Sequence, residues 1–216
     1  MSASPTRRPD VEGLVAAYRA DLVAAGMYAG HPVTSVARMF FTRVGADGWA
    51  RLALAAQCAL PLKERRVVGW LMVTGRLRPS PDYLVACRPY IGEVAVHHHA
   101  KFHGRFAATS AELGFDDIVT RLQWSALIKV VSLAGLAPDR VTQAVIDEGR
   151  KALIAAFGRH RPDSHGVKAL SAALFGAQTT LFHLGVLDAR HARPTGTVPP
   201  SGPRRGRRPL RGWRPR

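Results

Sequence analysis

The chain has 216 residues, of which 47% are hydrophobic; this is enough apolar material to bury a core, and it excludes global disorder. Its 31 lysines and arginines outnumber its 15 aspartates and glutamates, which gives a net charge of +16. Two cysteines, Cys58 and Cys87, are too few for a disulfide-rich scaffold or a four-thiolate zinc site. We therefore expect a cytoplasmic, reducing location.

No segment of the sequence has the properties of a membrane anchor. The first ten residues are polar and lack the apolar stretch of a signal peptide. The longest apolar run covers residues 67–73, far short of the roughly 20 residues that a spanning helix needs. We expect no membrane partner.

The positive charge is concentrated at the end of the chain. Residues 193–216 contain eight arginines and no aspartate or glutamate, and they are interrupted by prolines and glycines. Such a composition prevents helix formation and leaves little to bury. We expect a disordered arm over residues 189–216 that binds phosphates by charge, with a merely solvated terminus, or the out-of-frame end of an interrupted gene, as the alternative.

The first part of the chain is predicted to be helical, because apolar residues recur every three or four positions. A first helix covers residues 11–25, and a second begins with Thr34 as its cap and ends at Gly45. A short third helix contains Trp49, Leu52, Ala53 and Ala56.

The next segment is predicted to hold two helices on either side of a joint. One helix follows Pro61 and ends at Gly75, and residues 76–81 form a proline-rich joint. Residues 91–113 are predicted to form one long helix, the most exposed of all, because its apolar positions are sparse.

The last three helices carry the strongest apolar patterns. Asp116 is expected to cap a central helix that includes Val119, Leu122 and Trp124, and Asp139 or Thr142 opens the next. Residues 159–165 are predicted to be a loop, after which Ser164 caps a final helix. No strand-like alternation competes anywhere, so the fold class is all-α.

We expect two small helical bundles in this chain. The predicted division is an N-terminal helix over residues 1–30, a basic helical domain over residues 31–112, a compact bundle over residues 113–188, and the basic tail.

The common enzyme signatures are missing from the sequence. It has no phosphate-binding glycine loop, no dinucleotide fingerprint and no Gly-x-Ser-x-Gly nucleophile elbow. His99 and His103 are four residues apart, as two metal ligands on one helical face would be, but no third ligand follows at a spacing typical of a metal site. The favoured interpretation of His97–His103 is a solvated basic face, with phosphate contact as an alternative, and we expect no metal and no cofactor.

Three basic groups are candidate DNA-binding sites. One surrounds the helix after Pro61, one surrounds the start of the last helix, where free N–H groups already favour an anion, and one lies in the tail. Ordinary solvated surface is the alternative for each group. The candidate residues are Lys63, Arg65, Arg66, Arg76, Arg78, Arg159, Arg161, Ser164, His165, Lys168, Arg204, Arg205, Arg207 and Arg208.

Three segments resemble a known family. Residues 31–45 (HPVTSVARMFFTRVG) and 60–83 (LPLKERRVVGWLMVTGRLRPSPDY) resemble the N-terminal half of actinobacterial site-specific integrases of the tyrosine-recombinase class. Residues 165–188 (HGVKALSAALFGAQTTLFHLGVLD) resemble the closing helix of the SAM-like core-binding domain of that class. The resemblance implies a helical bundle that clamps one side of a DNA duplex, with double-stranded DNA and other recombinase subunits as partners.

The catalytic part of that family has no counterpart in this chain. The family uses two arginines, a lysine, a His-x-x-Arg segment and a tyrosine nucleophile that lie after the core-binding domain. This sequence contains no His-x-x-Arg segment, and its four tyrosines, at positions 18, 28, 83 and 90, all precede residue 113. We expect a truncated, non-catalytic DNA-binding protein without a small-molecule substrate. The two alternatives are a helical protein-interaction module with an incidental basic tail and a small enzyme that uses the histidine cluster.

Overall fold

A computed structural model of the chain describes residues 10–87, 89–161 and 164–188. Within these residues it contains eleven α-helices, one 3₁₀ turn at Pro138–Arg140 and no strand, which confirms the all-α fold class. The predicted tail lies outside the described residues. The helices are α1 (Val11–Ala24), α2 (His31–Arg43), α3 (Gly45–Arg51), α4 (Leu54–Cys58), α5 (Leu62–Val73), α6 (Pro81–Ala86), α7 (Ile91–His98), α8 (Ala100–Glu112), α9 (Asp117–Ala134), α10 (Gln143–His160) and α11 (Ser164–His183).

Side-chain caps explain where several helices begin. The Asp116 carboxylate accepts a hydrogen bond from the Val119 N–H (2.7 Å) at the start of α9, and the Thr142 hydroxyl accepts one at the start of α10. The predicted cap at Thr34 is wrong. The N-cap of α2 is Gly30, four residues earlier, because Pro32 has the backbone angle that the first helical turn requires.

The predicted long helix over residues 91–113 is two helices. The backbone leaves the helical region at His99 (φ −106°, ψ 34°), which ends α7 and begins α8. The expectation that this segment is the most exposed is also wrong, because a larger share of the residues of α1 is exposed; Ile91, Ala95 and Phe106 are fully buried. The break lets the two halves turn their apolar positions toward different neighbours: α7 packs against α5 and α9, and α8 packs against α9 and α11.

The predicted third helix is wrong as a single helix, because the backbone is extended at Leu52 and Ala53 and separates α3 from α4.

Two other boundaries differ from the prediction. Helix α6 was not predicted, although Ser80 caps it through the Tyr83 N–H (3.1 Å) and Pro81 occupies its first turn. Helix α10 continues to His160, so the predicted loop over residues 159–165 is shorter than expected. Both changes matter for the site, because they place Asp82 and Arg159 on helices.

Helix α9 is central, as its broad apolar surface predicts. It packs against α5, α7, α8, α10 and α11, and Trp124, Leu127 and Ile128 are fully buried. The prediction is wrong for its first turns, since Ile118 and Leu122 are 63% and 57% exposed. The neighbouring helices therefore cover only one side of the first turns of α9, where Thr120 is buried.

The buried side chains form one continuous core that includes residues on both sides of Gly114. The Ser110 hydroxyl on α8, for example, lies 3.2 Å from the Thr180 hydroxyl on α11. The division into two bundles at residue 112 stays a prediction, and the packing crosses it. No helix among the described residues has the length and apolar character needed to span a bilayer.

Candidate nucleic-acid interface

A cleft in the described part of the chain lies between α3, α4 and the end of α10. It has a volume of about 600 Å³. Its apolar lining comes from Trp49, Leu52, Leu54 and Pro79, with Ala50. Its polar lining consists of Gln57, Arg78, Ser80, Asp82, Arg159 and His160. The cleft therefore joins one member of the first predicted basic group, Arg78, with one member of the second, Arg159.

Asp82 is the centre of an ion-pair network at one side of this cleft. Its Oδ1 atom accepts hydrogen bonds from Arg159 Nε (2.9 Å) and lies 2.7 Å from His160 Nε2. Burial raises the pKa of Asp82, but the hydrogen bonds and charges of Arg159 and His160 outweigh it and leave that pKa below its usual value. Asp82 is therefore an anion, and it anchors the last turn of α10 against α6.

Arg78 enters the cleft from the joint before α6. No described carboxylate pairs with it. Its guanidinium lies against Gly135 at the end of α9, where an added Cβ would be 2.6 Å from Arg78 Nε. The C-terminal end of a helix carries partial negative charge, which favours a cation at this place.

Two buried donors behind the cleft have no hydrogen-bond partner among the described residues. They are the indole N–H of Trp49 and the hydroxyl of Tyr83, whose rings meet edge to face at 4.7 Å. Burial raises the pKa of Tyr83 to about 12, so the hydroxyl keeps its proton. The side-chain amide of Gln57 donates a hydrogen bond to the backbone carbonyl of Trp49 (3.0 Å) and not to either of these groups.

The other members of the first basic group do not reach this cleft. Lys63 and Arg66 line a small groove together with Tyr18, Pro32 and Val33. Both are exposed, and neither forms an ion pair with another described residue. The groove is a second cationic surface, on α5 where it faces α1 and α2.

Arg65 and Arg76 each stack on an aromatic ring. The Arg65 guanidinium lies 5.4 Å from the centre of the Tyr90 ring, and the Arg76 guanidinium lies 5.4 Å from the Trp70 ring. Cation–π contact of this kind leaves the charge available to an anion, since no carboxylate neutralises it. The predicted group of five cations is thus spread over four separate places.

The second basic group is split at the junction of α10 and α11. Arg159 faces Asp82, Arg161 is half-buried, and His165 and Lys168 are exposed on the first turns of α11. Helix α11 begins at Ser164, whose side chain lies outside the described residues, as do Arg204, Arg205, Arg207 and Arg208. The junction is tight, since a Cβ at Gly166 would lie 2.7 Å from the Phe157 ring.

The histidines at 97–103 pack into the fold instead of forming a common face. His98 Nδ1 lies 3.1 Å from Asp21 Oδ2, the atom that also accepts the Trp70 indole N–H. The His103 ring meets Trp124 edge to face at 4.8 Å. Burial, with the nearby His98 charge, lowers the pKa of His99 to about 4. No three His, Cys, Asp or Glu side chains of the described residues are placed to share a metal ion.

Cys58 and Cys87 form a disulfide, with their Cα atoms 5.0 Å apart. It joins the end of α4 to the end of α6, the helices that carry Gln57 and Asp82 into the cleft. The expectation of a reducing location has no support from this bond, because disulfides persist in oxidising environments.

Three residues of the cleft were missed by the sequence analysis. Asp82 could have been found, because Ser80-Pro81-Asp82 has the cap, first-turn proline and early acidic residue that begin a helix. Trp49 and Gln57 give no such signal, since only the contact of Trp49 with Tyr83 and the packing of α4 against α6 bring them to the cleft.

In comparisons with protein-family models, curated proteins and solved structures, the chain matches none. The integrase resemblance therefore gains no support from them, and the function rests on the residues of the chain itself.

Proposed function

We propose that this chain binds double-stranded DNA through phosphate contacts and performs no chemistry on it. The observation that carries the proposal is the net charge of +16, with eight arginines and no acid in residues 193–216. Arginines at this density bind a polyanion by releasing its counterions, largely without sequence preference. The resemblance to integrases suggests DNA recombination or integration as the setting, and other recombinase subunits as partners.

The cations of the helical part support the same proposal. Lys63, Arg66 and Lys168 are exposed and have no carboxylate partner among the described residues. A folded domain with such cations on its surface can fix the position of a duplex that the arginine-rich tail attracts.

The first test is the salt dependence of binding to a duplex oligonucleotide. If the eight tail arginines each contact one phosphate, the slope of log K against log salt is about −7. A variant with all eight replaced by glutamine should lose most of this slope. Binding that is absent, or that is unchanged by salt, refutes the proposal.

The second test compares two pairs of charge reversals. Arg161→Glu with Lys168→Glu should weaken duplex binding more than Arg150→Glu with Lys151→Glu, because the start of α11 also presents backbone N–H groups. Arg150 already pairs with Asp147, so the second pair is a control of equal charge change. Equal losses would show that the α10–α11 junction is not a contact site.

A second candidate function is protein binding by an apolar surface. Ile118 and Leu122 lie one turn apart on α9 and are both largely exposed. Exposed apolar neighbours of this kind are typical of interaction surfaces when they form a patch. If this function holds, deletion of residues 189–216 leaves partner binding unchanged, and Leu122→Asp abolishes it.

A further inference from the structure

We propose that the cleft between α3, α4 and α10 binds an organic phosphate with a flat apolar body, the chemistry of a mononucleotide. The ligand is either a free mononucleotide or the 5′-phosphorylated end of a DNA strand. The second source rests on the proposed DNA binding, whereas the first does not.

The dimensions of the cleft suit a ligand of this size. Its volume of about 600 Å³ lies within the range of roughly 300–1,000 Å³ that small-molecule sites occupy. The disulfide between Cys58 and Cys87 ties α4 to α6, so two of its walls are joined covalently. The cleft is therefore held open by the fold, and little ordering is needed when a ligand enters.

Charge at the cleft favours an anion. Arg78 has no described carboxylate partner, and Arg159 and His160 share the single oxygen Oδ1 of Asp82. The cleft lining therefore contains two arginines and one carboxylate, an excess of positive charge before His160 is protonated. A guanidinium offers several donors in one plane, which matches the geometry of a phosphate better than that of a halide ion.

Trp49 also belongs to the lining of the cleft, although only 1% of it is exposed. Its ring is held in place by the Tyr83 ring, which it meets edge to face at 4.7 Å. The lining therefore includes a fixed aromatic residue beside the arginines.

The apolar lining provides for the body of the ligand. Leu52, Leu54 and Pro79 lie on the sides of the cleft and have no polar side-chain atoms. Inorganic phosphate could use the arginines but not this surface, and an uncharged nucleoside could use this surface but not the arginines. Both parts of the cleft are used only by a molecule that contains both groups.

The test measures binding of thymidine 5′-monophosphate, thymidine and inorganic phosphate to the full chain by calorimetry. We expect the nucleotide to bind at least tenfold more tightly than either fragment. Arg78→Gln should weaken it about tenfold or more, whereas Arg105→Gln, an exposed arginine on α8, should leave it unchanged. Equal affinity for nucleotide and phosphate, or equal losses in the two variants, overturns the proposal.

A second readout follows Trp49 itself. In an ¹H–¹⁵N spectrum its indole signal, identified by Trp49→Phe, should shift on addition of the nucleotide, because Trp49 lines the cleft. A signal that stays in place at saturating nucleotide overturns the placement of the ligand in this cleft.

The two sources of the phosphate are separated with oligonucleotides. Tighter binding of a 5′-phosphorylated duplex than of its 5′-hydroxyl form identifies the strand end as the ligand, and equal binding with a positive mononucleotide titration identifies a free nucleotide. If no mononucleotide binds and the two duplexes bind equally in a salt-dependent way, this inference fails and the proposed DNA binding stands. If the mononucleotide binds and neither duplex does, the proposed DNA binding fails and this inference stands.

Discussion

The contact between α9 and α10 predicts a large difference between two glycine-to-alanine substitutions. At Gly149 on α10, an added Cβ would lie 2.7 Å from Val130 Cγ1 and 3.2 Å from Val130 Cβ. Carbon atoms in van der Waals contact are about 3.5–4.0 Å apart, so the helices must separate by up to about 1 Å. Val130 cannot turn away, because its Cβ is also too close and valine has one strongly preferred helical rotamer.

The size of the effect follows from two opposing terms. Forcing a methyl group into a packed contact costs about 1–3 kcal/mol, and exchanging glycine for alanine inside a helix gains up to about 1 kcal/mol. Gly149→Ala should therefore lower the free energy of unfolding by about 0–2 kcal/mol. Gly104→Ala, in the interior of α8, meets no atom within 4 Å and should raise it by up to about 1 kcal/mol.

Urea denaturation of the wild type and the two variants measures this difference, which we expect to be about 1–3 kcal/mol. A double-mutant cycle with Val130→Ala isolates the contact, because removal of the valine methyl groups should cancel most of the cost at Gly149. If Gly149→Ala is as stable as Gly104→Ala, or if Val130→Ala shows no coupling to it, the described contact between α9 and α10 is wrong.

Two further predictions concern the disulfide and the pH dependence of stability. Replacing Cys58 and Cys87 with serine should lower the free energy of unfolding by about 3.6 kcal/mol. This is the loop-closure value for about 30 residues, and the two cysteines are 29 residues apart. Two free thiols in a titration of the unreduced, denatured protein would contradict the presence of the disulfide. Burial lowers the pKa of His99 from 6.5 to about 4. As the pH falls, this side chain is therefore protonated in the unfolded chain before it is protonated in the folded chain. The contribution of neutral His99 to the free energy of unfolding is then fully present above pH 6.5 and falls between about pH 6.5 and pH 4. His99→Gln should flatten that fall in urea titrations at each pH, and an unchanged slope would refute it; part of the slope remains in the variant because burial also lowers the pKa of His103.

Helix ends were predictable wherever a residue and its near neighbours determine the backbone. Asp116 caps α9 as expected, and Thr142, one of the two residues predicted to open α10, is its cap. Gly135 ends α9 with a positive φ of 66°. These signals depend on hydrogen bonds and steric limits within four residues, so the sequence pattern contains all the information required. The apolar stripe of α11 was predictable for the same reason, and Leu170, Leu174 and Leu181 are buried.

The site depended on contacts between distant parts of the chain. Asp82 and Arg159 are 77 residues apart, and they meet only because α10 packs across α6. Likewise the histidines at 98 and 103, which share a basic stretch in the sequence, turn toward Asp21 and Trp124 once the backbone breaks at His99.

By itself, then, the amino-acid sequence determined the helical class, most helix ends and the large excess of positive charge, since each follows from local preference or composition. The tertiary structure alone decided which cations come together. An ion pair or a cleft depends on the relative placement of whole helices, and that placement is set by the packing of the entire core.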